Sequence, residues 1–183
     1  EADSQMTEML QMQKEEANNA FAKFIKQNYL NWTNPKTFIG NSDRPTLSPD
    51  IFKKYIFNRL NAETHVFLIV IDNLRYDQWR VLAEEIGDLF DVEEDTYLSI
   101  LPTATQYARN AIFSGLMPNK IAEMFPELWV DEDSEEGKNL NEEPLIRTQI
   151  ERFRRSNSFS YHKINDSAAA ERFMDKYNTL SKN

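Results

Sequence analysis

The chain contains 183 residues, with 30 acidic against 21 basic side chains and a net charge of −9. Its hydrophobic content of 40% is enough for one domain and a flanking segment, which argues against global disorder. The acidic balance argues against a protein that coats nucleic acid through bulk charge. Cysteine is absent, which excludes disulfides and cysteine-ligated zinc and favours a cytoplasmic location. The sequence shows neither a signal peptide nor an apolar run long enough to span a membrane.

The N-terminal region is predicted to be one long helix followed by a linker. Apolar residues recur at steps of three and four over residues 5–31, which is the spacing of an amphipathic helix. The connector at 32–49 holds three prolines and one glycine, and is therefore a candidate domain boundary. We predict a helical bundle or linker segment over residues 1–45 and a second domain over residues 46–183.

The second domain alternates predicted helices with predicted strands, which favours an α/β fold. Ser48 and Pro49 are typical of a helix N-cap and first turn, and open a predicted helix that ends near Leu60. The continuous apolar run at 65–71 predicts a strand buried on both faces, as in a parallel sheet. Further strands are predicted at 89–92, 96–100 and 159–164, and further helices at 74–86, 105–114, 144–154 and 165–180. The acidic run at 131–136 predicts a solvated loop.

Two positions in this domain carry candidate functional side chains. Asp72 follows the predicted strand, where functional groups cluster in parallel sheets, so its carboxylate could bind a metal or a ribose, act as a base, or only cap the next helix. Thr105 lies at or next to a helix start, where backbone N–H groups and the helix dipole favour an anion such as phosphate. Arg109 lies on the same helical face and could contact the same anion. The alternative is that Thr103 or Thr105 serves only as the helix N-cap.

Three short segments resemble the alkaline phosphatase superfamily, and most closely its nucleotide pyrophosphatase/phosphodiesterase pattern. They are Asp-Asn-Leu-Arg-Tyr-Asp at 72–77, Pro-Thr-Ala-Thr at 102–105 and Ser-Gly-Leu-Met-Pro at 114–118. Over nearly its whole length the chain resembles a PglZ output domain, as in PorX-like two-component response regulators. This resemblance implies the N-terminal part of an alkaline-phosphatase-like three-layer sandwich, preceded by the end of a helical bundle.

The resemblance also implies a chemistry and the residues that perform it. Thr105 matches the nucleophile, which also contacts a metal, and Asp72 matches the first metal-ligand aspartate. The implied reaction is hydrolysis of phosphodiesters, such as oligonucleotides or cyclic oligonucleotides, at a site with two Zn²⁺ ions that would activate the threonine hydroxyl. Asn73 stands where the phosphodiesterases have glycine. Together with Arg75 and Arg109, it is a candidate phosphate contact.

Further aspartate and histidine ligands of the superfamily have no counterpart in this sequence. The chain has two histidines. His65 begins the predicted strand and would lie about 20 Å from Asp72, which is too far to share one zinc ion. His162 lies in a predicted strand without an adjacent aspartate. Both histidines are predicted to be structural, so the chain holds only part of a dinuclear zinc site.

Three functions stay open at this level. The first is an output fragment of a cytoplasmic response regulator that hydrolyses phosphodiesters, with a receiver domain in the same full-length chain and a histidine kinase upstream. The second is a non-catalytic scaffold that transmits receiver phosphorylation to a partner such as a histidine kinase or a sigma factor. The third is a separate phosphate-binding α/β domain, although the sequence lacks a glycine-rich phosphate loop. The resemblance also implies a homodimer formed through the N-terminal bundle.

Overall fold

The computed structural model describes residues 2–34, 44–60, 65–130 and 139–180. The chain divides into two compact units, Glu1–Thr46 and Leu47–Asn183. The predicted acidic loop at 131–136 and half of the predicted connector, residues 35–43, lie outside the described residues. In the part of the chain that is described, no helix is long and apolar enough to cross a membrane.

The first unit contains one long helix, α1, which covers Ala2–Thr33. This confirms the helix predicted over residues 5–31. Large apolar side chains along α1 remain exposed, among them Phe21 and Leu30. The ring of Phe24 packs against Trp32 near the C-terminal end, with ring centroids 5.3 Å apart.

The second unit is built from helices. Its α-helices within the described residues are α2 (Tyr76–Ile86), α3 (Thr105–Ser114), α4 (Pro118–Met124), α5 (Glu142–Arg152) and α6 (Ser167–Leu180). The predictions for α2, α3, α5 and α6 are confirmed, with ends that shift by no more than two residues. The short helix α4 was not predicted, although Pro118 at its first turn is a typical helix start.

Ser48 does not cap a helix, contrary to the prediction. It lies in a 3₁₀ turn at Ser48–Asp50, is fully buried, and its hydroxyl accepts a hydrogen bond from the backbone N–H of Ile100 at 3.1 Å. The carboxylate of Asp50 instead accepts the backbone N–H of Leu47 at 2.8 Å. Leu47 also forms a parallel β-bridge with Leu98. These contacts hold the chain just before α3 against the start of the second unit.

The strand predictions are wrong for the described residues. The segments at 65–71, 89–92, 96–100 and 159–164 form no strand there, and the pairing at Leu47 and Leu98 is an isolated bridge. Phe67 is 60% exposed and Ile69 is 78% exposed, so the apolar run is buried on neither face. A strand needs neighbouring strands for its backbone hydrogen bonds, and the described residues supply none to this run. The three-layer sandwich therefore stays a prediction.

The core of the second unit lies between α3, α5 and the π-helical turn at Phe52–Ile56. Its buried apolar side chains are Phe52, Phe57, Ile112, Phe113, Ile121, Leu145, Ile146 and Ile150. On α5 these residues recur at steps of one and four, which places them on one stripe of the helix. Burial of each such side chain contributes about 1.5–3 kcal/mol. This packing fixes α3 against α5.

Gly115 ends α3 where the backbone must turn away from a buried side chain. Its φ is +64°, the left-handed conformation that is typical of a glycine at the end of a helix. The fully buried amide of Gln149 on α5 donates to the carbonyls of Ile112 at 3.1 Å and Phe113 at 2.8 Å. Because these carbonyls belong to the last turn of α3, Gln149 supplies hydrogen bonds that the helix itself cannot. A Cβ at position 115 would collide with the same Gln149 side chain.

We expect Gly115→Ala to lower the free energy of unfolding by about 2–4 kcal/mol, because it combines an unfavourable φ with overpacking. The matched control is Gly87→Ala, since Gly87 follows α2 with an ordinary helical φ of −60°. That control should change stability by no more than about 1 kcal/mol. Urea denaturation of both variants measures the difference, and equal effects would show that Gly115 is not constrained in this way.

Asp95 anchors its segment to the π-helical turn at Phe52–Ile56. Its carboxylate accepts a hydrogen bond from the hydroxyl of Tyr55 and lies 3.0 Å from Nζ of Lys54. The Tyr55 hydrogen bond, followed by that of Lys54, lowers the pKa of Asp95 to about 2. Because a lowered pKa stabilises the folded state only while the carboxylate is ionised, this contribution is present above the ordinary pKa of 3.8 and is lost as the pH falls towards 2.

We therefore expect Tyr55→Phe to raise the pKa of Asp95 towards 3.8. The titration can be followed by NMR on the Asp95 carboxyl carbon. Tyr76→Phe changes another exposed tyrosine and serves as the control that should leave this titration in place. An unchanged pKa in Tyr55→Phe would contradict the role given to the tyrosine hydroxyl.

Candidate active site

Asp72 lies in a tight turn that an unusual backbone conformation makes possible. Asn73 has a φ of +58°, in the left-handed region that asparagine tolerates better than other non-glycine residues. Its backbone N–H donates to Oδ1 of Asp72 at 3.0 Å. The turn thereby fixes one carboxylate oxygen and leaves Oδ2 available to other groups. It also explains physically why asparagine is acceptable where a glycine would be expected.

Thr105 is the first residue of α3, and its side chain does not cap the helix. The N-cap is Ala104, and no side-chain capping hydrogen bond is present, so the interpretation of Thr103 or Thr105 as a simple cap is wrong. The hydroxyl of Thr105 donates instead to Oδ2 of Asp72 at 3.2 Å. The two residues are 33 positions apart in sequence, and the fold brings them into contact.

Arg109 lies one turn further along α3 and joins the same cluster. Its Nη1 lies 3.4 Å from Oδ2 of Asp72, and its Nη2 lies 2.5 Å from Oε1 of Glu142 at the start of α5. The Arg109 side chain is 20% exposed, so it is mostly enclosed. The prediction that Arg109 shares a face with Thr105 is consistent with these contacts.

Glu142 is the most buried charged group in this cluster. Its side chain is 1% exposed, and it accepts a hydrogen bond from the hydroxyl of Tyr161 in addition to its ion pair with Arg109. Nζ of Lys163 lies 3.5 Å from the same carboxylate and also donates to the carbonyl of Asn139 at 2.9 Å. Burial, and then the neighbouring Glu142 carboxylate, raise the pKa of the Tyr161 hydroxyl, against the opposing effect of Arg109. Tyr161 therefore stays a neutral donor.

The remaining predicted site residues have other partners. The guanidinium of Arg75 forms two hydrogen bonds with the carboxylate of Asp77, at 2.9 and 2.7 Å, and both side chains are exposed. Asn73 contributes its backbone N–H to Asp72. The structure thus brings together Asp72, Thr105 and Arg109, and places Arg75 in a separate surface ion pair.

Sequence reasoning missed Glu142, Tyr161 and Lys163. Glu142 is acidic and opens a helix, a pattern that is usually explained by the helix dipole alone. Tyr161 and Lys163 fell in a predicted strand with no charge pattern to connect them with Arg109. Only the packing of α5 against α3 brings these side chains to the same place.

The chain matches two known protein-family models. Residues 51–179 match the BREX system PglZ alkaline phosphatase-like domain. The chain belongs to this family. Residues 1–33 match the PorX response regulator linker domain. No curated protein matches the chain.

PglZ domains are alkaline-phosphatase-like, and such domains generally bind metal ions. Asp72 and Thr105 offer one carboxylate and one hydroxyl, whereas a catalytic zinc ion takes at least three protein ligands. Among the described residues, no group of three histidine, aspartate or glutamate side chains could hold a metal. His162 instead packs its ring on Phe173, with centroids 5.2 Å apart. The described part of this PglZ domain therefore does not form a metal centre by itself.

The left-handed turn at Asn73 leads to a stability prediction. Asn73→Ala should lower the free energy of unfolding by about 1–2 kcal/mol, because alanine pays the steric cost of a positive φ. Asn73→Gly is the matched variant, since glycine adopts the same φ freely and should remain within about 1 kcal/mol of the parent protein. Chemical denaturation measures both. If alanine and glycine behave alike, the turn does not depend on this conformation.

Proposed function

We propose that the chain is the output part of a response regulator and carries the nucleophile side of a zinc-dependent phosphodiesterase site, with oligonucleotides or cyclic oligonucleotides as substrates. The two family matches support the coarser part of this proposal, a PglZ domain that follows a response-regulator linker. In the proposed site Thr105 is the nucleophile and Asp72 is a metal ligand. The other ligands of the zinc ions would come from outside the described residues.

The observation that supports this proposal most strongly is the contact between Thr105 and Asp72. A hydroxyl that attacks phosphorus must be held in one orientation, and the hydrogen bond of 3.2 Å to Oδ2 of Asp72 provides such a constraint. Thr105 also lies at the N-terminus of α3, where the positive end of the helix dipole favours the negative charge of a phosphoryl group.

Arg109 is the phosphate contact that the geometry supports. Phosphoryl transfer depends mainly on positioning and on stabilisation of charge on the phosphoryl oxygens, for which a guanidinium is well suited. Arg109 lies within the cluster of Asp72 and Thr105, whereas Arg75 is engaged by Asp77 at the surface. We assign the phosphate contact to Arg109, with Asn73 in a supporting role through the turn.

The proposed setting follows from the match to a response-regulator linker. In the full-length protein a receiver domain would precede α1, a histidine kinase would phosphorylate it, and the protein would act in the cytoplasm. The exposed apolar side chains of α1 are compatible with a homodimer formed through this helix.

A second candidate function is a non-catalytic scaffold that transmits receiver phosphorylation to a partner such as a sigma factor. The observation that favours it is the incomplete set of metal donors that the described residues place around Asp72, where the guanidinium of Arg109 lies close to the carboxylate oxygen. The scaffold predicts that downstream signalling survives the loss of Thr105. The phosphodiesterase hypothesis predicts that catalysis is lost when Thr105 is replaced.

The test is hydrolysis of a short oligonucleotide and of a cyclic oligonucleotide by the full-length protein with Zn²⁺. We expect Thr105→Ala to reduce kcat/KM by about 10³-fold or more, because the nucleophile is removed. Thr105→Ser keeps a hydroxyl and should retain measurable activity. The control is Thr103→Ala, an exposed threonine two residues earlier in the same loop.

Persistent zinc-dependent hydrolysis in Thr105→Ala would refute the assignment of the nucleophile. Absence of hydrolysis in the parent protein, with normal downstream signalling in both proteins, would favour the scaffold. Loss of activity in Thr103→Ala to the same extent would show that the loop, and not the Thr105 hydroxyl, is what matters.

A further inference from the structure

A buried carboxylate lies behind the proposed phosphate contact. Glu142 is the first residue of α5, and its side chain is 1% exposed. Its carboxylate contacts Nη2 of Arg109, whereas the carboxylate of Asp72 contacts Nη1. We propose that Glu142 is a positioning residue, which anchors the guanidinium of Arg109 so that its other edge can bind a phosphoryl oxygen beside Thr105. This inference rests on the proposed function and extends it to a residue that does not touch the substrate.

The distances show which contact anchors Arg109 and which one it can exchange. Nη2 lies 2.5 Å from Glu142, whereas Nη1 lies 3.4 Å from Asp72. The shorter contact is also the more buried one, since the Asp72 side chain is 42% exposed. The contact with Glu142 is an ion pair without a hydrogen bond, whereas Nη1 donates a hydrogen bond of 3.4 Å to Oδ2 of Asp72. A charge pair is stronger where water is excluded, so we place the anchor of the guanidinium at the buried carboxylate of Glu142. A phosphoryl oxygen can then replace Asp72 as the partner of Nη1.

Because the carboxylate of Glu142 is buried, its stability depends on the positive charge of Arg109. An ionised carboxylate removed from water is costly unless charges and hydrogen bonds compensate it. Here the compensation comes from Arg109, from the hydroxyl of Tyr161 and from the more distant Nζ of Lys163 at 3.5 Å. The Tyr161 hydroxyl occupies the other carboxylate oxygen, Oε2, which leaves Oε1 directed at the guanidinium. Glu142 therefore presents Oε1 to the guanidinium of Arg109.

The planar shape of the guanidinium is essential to this arrangement. Its two terminal nitrogens contact different partners, so Nη2 can stay paired with Glu142 while Nη1 binds a phosphoryl oxygen. A lysine would place a single ammonium group at the same site and could satisfy Glu142 without reaching Asp72 or a phosphate. A lysine at position 109 therefore distinguishes positioning of the guanidinium by Glu142 from simple neutralisation of the Glu142 charge.

The experiment measures the Kd of inorganic phosphate for the full-length protein by titration calorimetry. Glu142→Gln should raise this Kd about 10–100-fold, the usual effect of losing an outer partner that orients a ligating group. The matched control is Glu143→Gln, its neighbour on α5, which is exposed and pairs with Arg147 at 3.5 Å. The control should bind phosphate as the parent protein does.

A double-mutant cycle shows whether Glu142 acts through Arg109. In an Arg109→Ala background, where phosphate binding is already weakened, Glu142→Gln should change the Kd less than about twofold if its whole effect passes through the arginine. Equal effects in both backgrounds would overturn the proposal, and so would an unchanged Kd in Glu142→Gln. If Glu142→Gln does not fold, Arg109→Lys replaces it, because it keeps a positive charge for Glu142. Weaker phosphate binding by folded Arg109→Lys supports the proposal, and parental affinity overturns it.

The outcome also separates this inference from the proposed function. Phosphate binding that depends on Glu142 through Arg109, in a protein that hydrolyses no phosphodiester, would overturn the enzymatic function while the positioning role stands. Zinc-dependent hydrolysis that needs Thr105 but not Glu142 would overturn the positioning role alone.

Discussion

The packing of α3 on α5 is the constraint on which the candidate site depends. Thr105 and Arg109 belong to α3, Glu142 belongs to α5, and the apolar stripe between the helices sets the distance between these side chains. Gln149 strengthens the same junction, because its amide donates hydrogen bonds to the end of α3 in the space that Gly115 leaves open. The site is polar, but the hydrophobic packing beneath it determines its geometry.

Charge is distributed in this cluster so that each group limits the freedom of the next. Glu142 is buried and holds Arg109, Arg109 reaches Asp72, and Asp72 accepts the hydroxyl of Thr105. The series runs from the interior to the surface, so the innermost contact is the least screened by water. In the proposed site, this enclosed guanidinium and the N-terminus of α3 would together favour a phosphate, although the protein as a whole is acidic.

The helix predictions and the strand predictions have different outcomes for a physical reason. A helix satisfies its backbone hydrogen bonds within its own segment, so α1, α2, α3 and α6 form close to their predicted bounds. A strand depends on neighbours, and the apolar run at 65–71 has none among the described residues. The same dependence applies to a metal centre, whose ligands converge from distant segments. For both features the local sequence is necessary but not sufficient.

The sequence predicted α1, α2, α3, α5 and α6 from local spacing, and its resemblance to a known family made Asp72 and Thr105 candidate site residues. It predicted Arg109 beside Thr105 by helical periodicity alone. It did not reveal that Ser48 binds Ile100, that Arg75 is occupied by Asp77, or that Glu142 stands behind Arg109. Arg75 and Asp77 are two residues apart and exposed, so their ion pair is local. The contacts of Ser48 and Glu142 join segments that are distant in sequence, and they exist only because those segments pack together in the tertiary structure.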